Sequence, residues 1–278
     1  MNKRRRRGGC LTFIVILAVF AGAMYHWNYT IKTELYELRF ANLPRAFDGY
    51  RIAVVSDLHA AVFGKDNEKL YEAVRSGNPD MIALTGDVTD AAGQVDGVIE
   101  TVRELVKIAP VYYITGNHEW EKGEVQELFA RLPETGTTVL RNEVLPLTRD
   151  GESIYIVGLE DPNGPADMKK PWQVFAEIPT GDDIFSLTLV HRNTGLEAIA
   201  ELGTDLVLCG HGHGGMIRLP FTDGLFGHNF ALLPSYTSGE YTIGATSIVV
   251  SRGVGNHTGI PRIGNNPHVP IVVLKAEK

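Results

Sequence analysis

RIAVVSDLH (residues 51–59), MIALTGDVTD (81–90) and VYYITGNHE (111–119) share one construction: a short apolar run breaks off into polar residues suited to holding a metal. Runs of four or five such residues, rich in Val, Ile and Tyr, predict strands buried on both faces. Amphipathic stretches at Asp66 to Ser76, Val95 to Ala109 and Glu124 to Leu132 separate them and predict helices. The order is βαβαβ, an α/β layered fold in which ligands gather at the carboxyl ends of the strands. The pattern continues downstream. Ile184 to Val190 ends at His191, and Leu206 to Cys209 ends at Gly210 and His211. Further strands are expected at Ser153 to Gly158, Met216 to Leu219, Thr246 to Ser251 and Ile271 to Leu274. With little helix between them, these predict a second sheet rather than more parallel crossovers. Gly253 to Pro270 reads as one long loop before the last strand.

The polar tips collect Asp57, His59, Asp87, Asp90, Asn117, His118, Glu119, His191, His211 and His213, including five of the nine histidines. Asp-x-His sets an oxygen and an imidazole on one short loop, and His-x-His sets two imidazoles on another. Taken singly, Asp-x-His is a common surface turn and Gly-Asp-x-x-Asp a common strand exit. Their recurrence at successive strand ends points instead to one metal site. The set exceeds what one tetrahedral zinc uses, so two cations sharing a carboxylate is the economical reading. Two cations roughly 3.5–4 Å apart activate a bridging hydroxide and neutralise phosphoryl charge, chemistry suited to phosphoester hydrolysis.

In this order and with these residue types, the chain resembles the calcineurin-like metallophosphoesterase superfamily over about Ile52 to His213. Its membrane segment and Ser56-Asp57-Leu58-His59 resemble a bacterial membrane-associated branch. The resemblance implies an α/β fold, a four-layer αββα sandwich. It also implies two divalent metal ions, Mn, Zn or Fe. Asp57, His59, Asp87 and His213 would hold one ion, and Asp87, Asn117, His191 and His211 the other, with Asp87 bridging through its two oxygens. His118, oriented by Asp90, would face the scissile ester as the proton donor. Ala91-Ala92 stand where protein serine/threonine phosphatases of the superfamily carry Arg-Gly, which disfavours a phosphoprotein substrate. Arg192 is either a clamp for substrate phosphate or a surface residue opening the next helix. His228, His257 and His268 match no ligand position.

At the N-terminus, Lys3, Arg4, Arg5, Arg6 and Arg7 precede an uncharged run from Cys10 to Tyr25, followed by His26, Trp27 and Tyr29. Residues 1–29 read as a transmembrane signal anchor, with a cleaved signal ending near Ala21-Gly22-Ala23 as the second reading. The basic cluster stays cytoplasmic by the positive-inside rule, which makes the protein a single-pass cell-membrane protein with an extracytoplasmic catalytic domain. Residues 30–50 read as a stalk and 51–278 as the phosphoesterase domain. Beyond residue 7 the chain carries 21 basic against 33 acidic residues, a net charge of −12, which argues against nucleic acid as a partner. Two cysteines, Cys10 and Cys209, are too few for a disulfide framework.

The function expected is a membrane-anchored phosphodiester or pyrophosphate hydrolase, with an envelope lipid or cell-wall phosphoester as substrate. Phe221, Leu225, Phe226 and Phe230 would suit an acyl chain near the mouth or pack as core. The rivals are a phosphoesterase for soluble nucleotides or small esters and a non-catalytic metal- or wall-binding module.

Overall fold

The computed structural model describes residues 3–91, 93–181, 184–219, 223–227, 231–256 and 259–277, with side chains from residue 11 onward. Two six-stranded sheets lie face to face. The first has the order β1 (Lys32–Phe40), β12 (His268–Ala276), β2 (Arg51–Val55), β3 (Met81–Leu84), β4 (Val111–Tyr113), β5 (Thr138–Val139). The second runs β10 (Gly239–Ile243), β11 (Thr246–Val250), β9 (Leu206–Cys209), β8 (Ser186–Leu189), β7 (Glu152–Gly158), β6 (Glu143–Arg149).

Alternation along each strand explains why the runs are apolar throughout. Ile52 and Val54 of β2 and Met81 and Ala83 of β3 meet Leu206 and Leu208 of β9 between the sheets. The intervening Ala53, Val55, Ile82 and Leu84 face α2 (Glu68–Ser76), α3 (Val95–Val106) and α5 (Val125–Arg131). On the far side, Val207 and Cys209 pack against α6 (Pro171–Phe175) and α7 (Leu196–Ala200). The layers are therefore αββα, as expected. Each fully buried Leu or Ile contributes about 1.5–3 kcal/mol, so the inter-sheet layer and the layer beneath α2, α3 and α5 are both large stores of stability.

Three expectations change. β7, β8, β9 and β11 are mutually parallel, so the second sheet does contain crossovers. Their five-residue helices α6 and α7 are too short to leave a clear periodic signal. Met216 to Leu219 forms isolated bridges, Ile217 to Ile263 and Arg218 to Gly224, rather than a strand. Residues 30–50 are not a stalk. All of β1 pairs in parallel with β12, and Leu38, Phe40, Leu43 and Phe47 enter the inter-sheet core.

α1 (Lys3–Tyr29) carries the one helix among the described residues long and apolar enough to cross a membrane, Leu11–Tyr29. Nineteen helical residues span about 28 Å, close to the hydrocarbon thickness of a bilayer. Residues 11–22 are exposed, so the domain does not cover this apolar surface. The helix instead docks by its last turn. Asn28 accepts from the Arg262 backbone N–H and donates to the Arg262 carbonyl, and Asn266 donates to the carbonyls of His26 and Thr30.

Candidate metal centre

Every expected ligand lies just past the carboxyl end of a parallel strand: Asp57 and His59 after β2, Asp87 after β3, and Asn117, with His118, in the first turn of α4 (Asn117–Glu121) after β4. His191 follows β8, and His211 and His213 follow β9. The two sheets thus contribute to one site from facing edges. Turning chain sharply at these tips takes unusual backbone. Asp57, His59, Asp87, His211 and His213 all have positive φ, between 45° and 67°, each costing about 1–3 kcal/mol that the surrounding core must offset. Gly210 is required by close approach, since a Cβ there would overlap the Ser56 hydroxyl and the Asp57 carboxylate.

The donors fall into two groups. In one, His191 Nε2 lies 3.2 Å from Asp87 Oδ2, 3.1 Å from His211 Nδ1 and 3.2 Å from Asn117 Oδ1. Such separations are those of donors arranged around an ion at roughly 2 Å, the distance of nitrogen and oxygen ligands to zinc. His191 Nδ1 donates to the Thr85 carbonyl at 2.8 Å, which leaves Nε2 as the electron-pair donor. In the other, the Nε2 atoms of His59 and His213 face each other at 3.3 Å, with Asp57 Oδ1 3.6 Å from His213. Facing imidazole nitrogens call for a cation or proton between them, so both donor sets fit divalent metal. Asp87 joins the groups through one oxygen rather than two: Oδ2 lies 3.2 Å from His191 and 3.9 Å from His59, while Oδ1 accepts from the His118 backbone N–H.

Electrostatics follow the same division. Burial, reinforced by the Asp87 charge, pushes the Asp57 carboxyl up despite His191 and the His211 N–H. Burial also opposes ionisation of Asp87, but His191, His59 and His118 outweigh it and hold that carboxyl well below its usual range. His191 is buried too, yet Asp87 and Asp57 raise it to about 10. Loading with metal must therefore displace a proton from His191.

Around the donors, Asp90 Oδ1 lies 3.2 Å from His118 Nδ1, and His118 Nε2 lies 4.0 Å from Asp87 Oδ2. Arg192 is neither a clamp nor a free surface residue. Its guanidinium grips the buried Asp161 at 2.7 and 2.8 Å and touches Asn163 at 3.0 Å. Asn163 and Asn117 both donate to Glu121 Oε1, which turns the Asn117 oxygen toward His191. His268 lies in β12 beside Glu34 and Arg252, away from the site. Leu225 and Phe226 are half-buried, and Phe221, His228, Phe230 and His257 lie outside the described residues.

Sequence reasoning assigned no role to Glu119. Its carboxylate is fully buried and accepts from the backbone N–H groups of Gly116, Val88 and Asp87 at 2.6, 2.6 and 3.1 Å. It therefore clamps the β3 and β4 loops together. Burial and the Asp87 charge push it up to about 7, against the Gly116 and Val88 hydrogen bonds and the His191 charge. A Glu two residues into a helix that opens on a ligand was the available signal.

This fold and donor set define a metal-dependent phosphoester hydrolase. The calcineurin-like phosphoesterase profile matches residues 50–215, and the chain belongs to that family. Among its relatives, "Uncharacterized metallophosphoesterase YkuE" of Bacillus subtilis is 28% identical, over 99% of this chain and 98% of its own length. "Phosphodiesterase YaeI" of Escherichia coli is 29% identical, over 87% of this chain and 88% of its own. A Danio rerio "Transmembrane protein with metallophosphoesterase domain" is 27% identical, over 86% of this chain and 56% of its own.

Proposed function

We propose that the protein is a membrane-anchored phosphodiester or pyrophosphate hydrolase whose catalytic domain faces outward and whose substrate is an envelope lipid or cell-wall phosphoester. One observation carries this reading. The last turn of α1 is hydrogen-bonded through Asn28 and Asn266 to the 262–266 segment. That segment follows a loop whose Val254 and Gly255 N–H groups donate to the carbonyls of Ser56 and Asp57. Few bonds separate the membrane helix from the metal ligands, so the site sits near the bilayer surface, where a lipid headgroup lies. The YaeI and Danio rerio names, phosphodiesterase and transmembrane protein, support the two halves of the reading.

In this site Asp57, His59, Asp87 and His213 hold one divalent ion, and Asp87, Asn117, His191 and His211 the other. When bound, the ions supply Lewis acidity for a water and for the phosphoryl oxygens. His118, 8% exposed and steered by Asp90, reaches the mouth and gives a proton to the leaving oxygen. The domain that does this runs from residue 30 to the C-terminus, β1 included.

The test is hydrolysis by the full chain in detergent, metal-stripped and then resupplied with Mn2+ or Zn2+. Substrates are bis-p-nitrophenyl phosphate, p-nitrophenyl phosphate and a detergent-dispersed prenyl pyrophosphate. Metal-restored turnover should vanish in Asp87→Asn. In His118→Ala it should fall about 10²–10⁴-fold on the lipid, whose leaving group needs the proton, and less on the activated esters. Faster turnover of soluble esters and nucleotides than of any lipid would transfer the assignment to the soluble-substrate rival.

A further inference from the structure

The point at which α1 meets the domain also fixes what the neighbouring loops face. Tyr25, Trp27 and Tyr29, on the last two turns of α1, are of the kind that settles at a membrane–water boundary. Asn28, in the same stretch, is hydrogen-bonded to the Arg262 backbone, and only Thr30 and Ile31 separate α1 from β1. No spacer therefore lifts the domain off a bilayer that α1 spans. The edge that α1 meets is also the one bearing the metal ligands. Residues 251–267 join the carboxyl end of β11 to the start of β12, and β11 is parallel to β9, whose carboxyl end carries His211 and His213.

Outside α1, the three most exposed large apolar side chains among the described residues are Leu232 at 73%, Leu233 at 70% and Val62 at 63%. A single apolar side chain on a surface needs no explanation, but these three share one edge. Val62 follows the ligand His59 by three residues and lines, with Asn28 and Tyr29, a cavity of about 310 Å³ beside the last turn of α1. Leu233 is tied to the same place by a backbone ladder. Its N–H donates to the Leu225 carbonyl, the Leu225 N–H donates to the Ile217 carbonyl, and Ile217 bridges Ile263, next to Arg262. Three spacings of about 4.8 Å put its backbone within about 15 Å of Ile263. Leu233 holds its side chain outward at a φ of 50°, left-handed backbone that folding alone would give to Gly or Asn.

We propose that Val62, Leu232 and Leu233 enter the leaflet at the C-terminal end of α1, so that the domain has a second membrane contact and its metal-site edge rests on the bilayer. The occupant of this apolar edge is the bilayer because the uncovered apolar surface of α1, residues 11–22, leads directly up to it. Apolar side chains at such a surface reach about 5–10 Å into the boundary between headgroups and acyl chains. The proposal deepens the reading of a membrane-anchored hydrolase and rests on α1 spanning the bilayer, which the test reads separately.

Spin-label depth measurement on the full-length, metal-loaded protein in vesicles of phosphatidylcholine and phosphatidylglycerol tests the proposal. The background is Cys10→Ser, in which the buried Cys209 is out of a label's reach. Labels are placed singly by Val62→Cys, by Leu233→Cys, by Ile16→Cys within α1, and by Asp150→Cys in the exposed β6–β7 turn, at the amino end of β7 and so at the opposite edge. Ile16 should report acyl chains and Asp150 water. Labels at Val62 and Leu233 should relax faster with dissolved oxygen than with a water-soluble nickel chelate, at a depth of about 5–10 Å below the lipid phosphates. Free access of the nickel chelate at either position overturns the proposal. So does shielding from both reagents, which would mean that a second copy of the chain covers the edge. With Ile16 still among acyl chains, either result leaves the anchor standing, whereas Ile16 in water removes the anchor and the proposal with it.

Discussion

Replacing Glu119 with Ala should separate the protein's stability from its metal load. The substitution strips the acceptor from three buried N–H groups, those of Gly116, Val88 and Asp87. At about 1.5–2 kcal/mol per lost charge-assisted bond, the gross cost is about 5 kcal/mol. In the metal-free protein part of this is offset. A carboxyl raised to about 7 from 4.5 costs about 3 kcal/mol to keep ionised at pH 7, and Ala removes that cost. The net loss expected without metal is therefore about 2 kcal/mol. Once cations neutralise Asp87, less of the penalty remains to be relieved, and the loss should rise toward 5 kcal/mol. Urea unfolding of wild type and Glu119→Ala, each with EDTA and with saturating Mn2+, measures both differences. A loss that is absent, or smaller with metal than without, would refute the clamp between the β3 and β4 loops.

Two further outcomes follow from the surrounding network. Glu121→Ala frees the Asn117 amide to rotate and should lower metal affinity about 10–100-fold, while Glu121→Gln, which keeps an acceptor oxygen, should recover most of it in a Mn2+ titration. Stability should also fall as the solution is acidified. Burial opposes ionisation of Glu34, but Arg252 and Tyr36 hold its carboxyl at about 2, so the stability it adds above pH 4.5 disappears toward pH 2. Burial, aided by Arg252, keeps His268 far below its usual pKa. The unfolded chain takes up a proton there below pH 6.5 that the folded chain refuses, so loss begins at pH 6.5. His268→Gln should flatten the slope between pH 6.5 and 4.5 relative to wild type, and an unchanged slope would contradict the assignment.

The sequence by itself determined the strand tips. Asp57-Leu58-His59, Gly116-Asn117-His118 and Gly210-His211-Gly212-His213 each place their donors within a few residues after an apolar run, and the chain needs no distant partner to do so. The βαβαβ start was equally open to reading, because α2, α3 and α5 are long enough to show their period. Contacts between residues far apart in the chain were not. β1 looks like a stalk until β12, more than 200 residues later, supplies its hydrogen bonds and core. Arg192 looks like a phosphate clamp until Asp161 occupies its guanidinium. Glu119 acquires its role only when the β3 loop brings two N–H groups to it. Local sequence encodes which groups a strand end carries, since backbone period and side-chain chemistry are short-range. Packing alone decides which of those groups share a cavity, because burial and pairing arise only when both sheets and the last turn of α1 have come together.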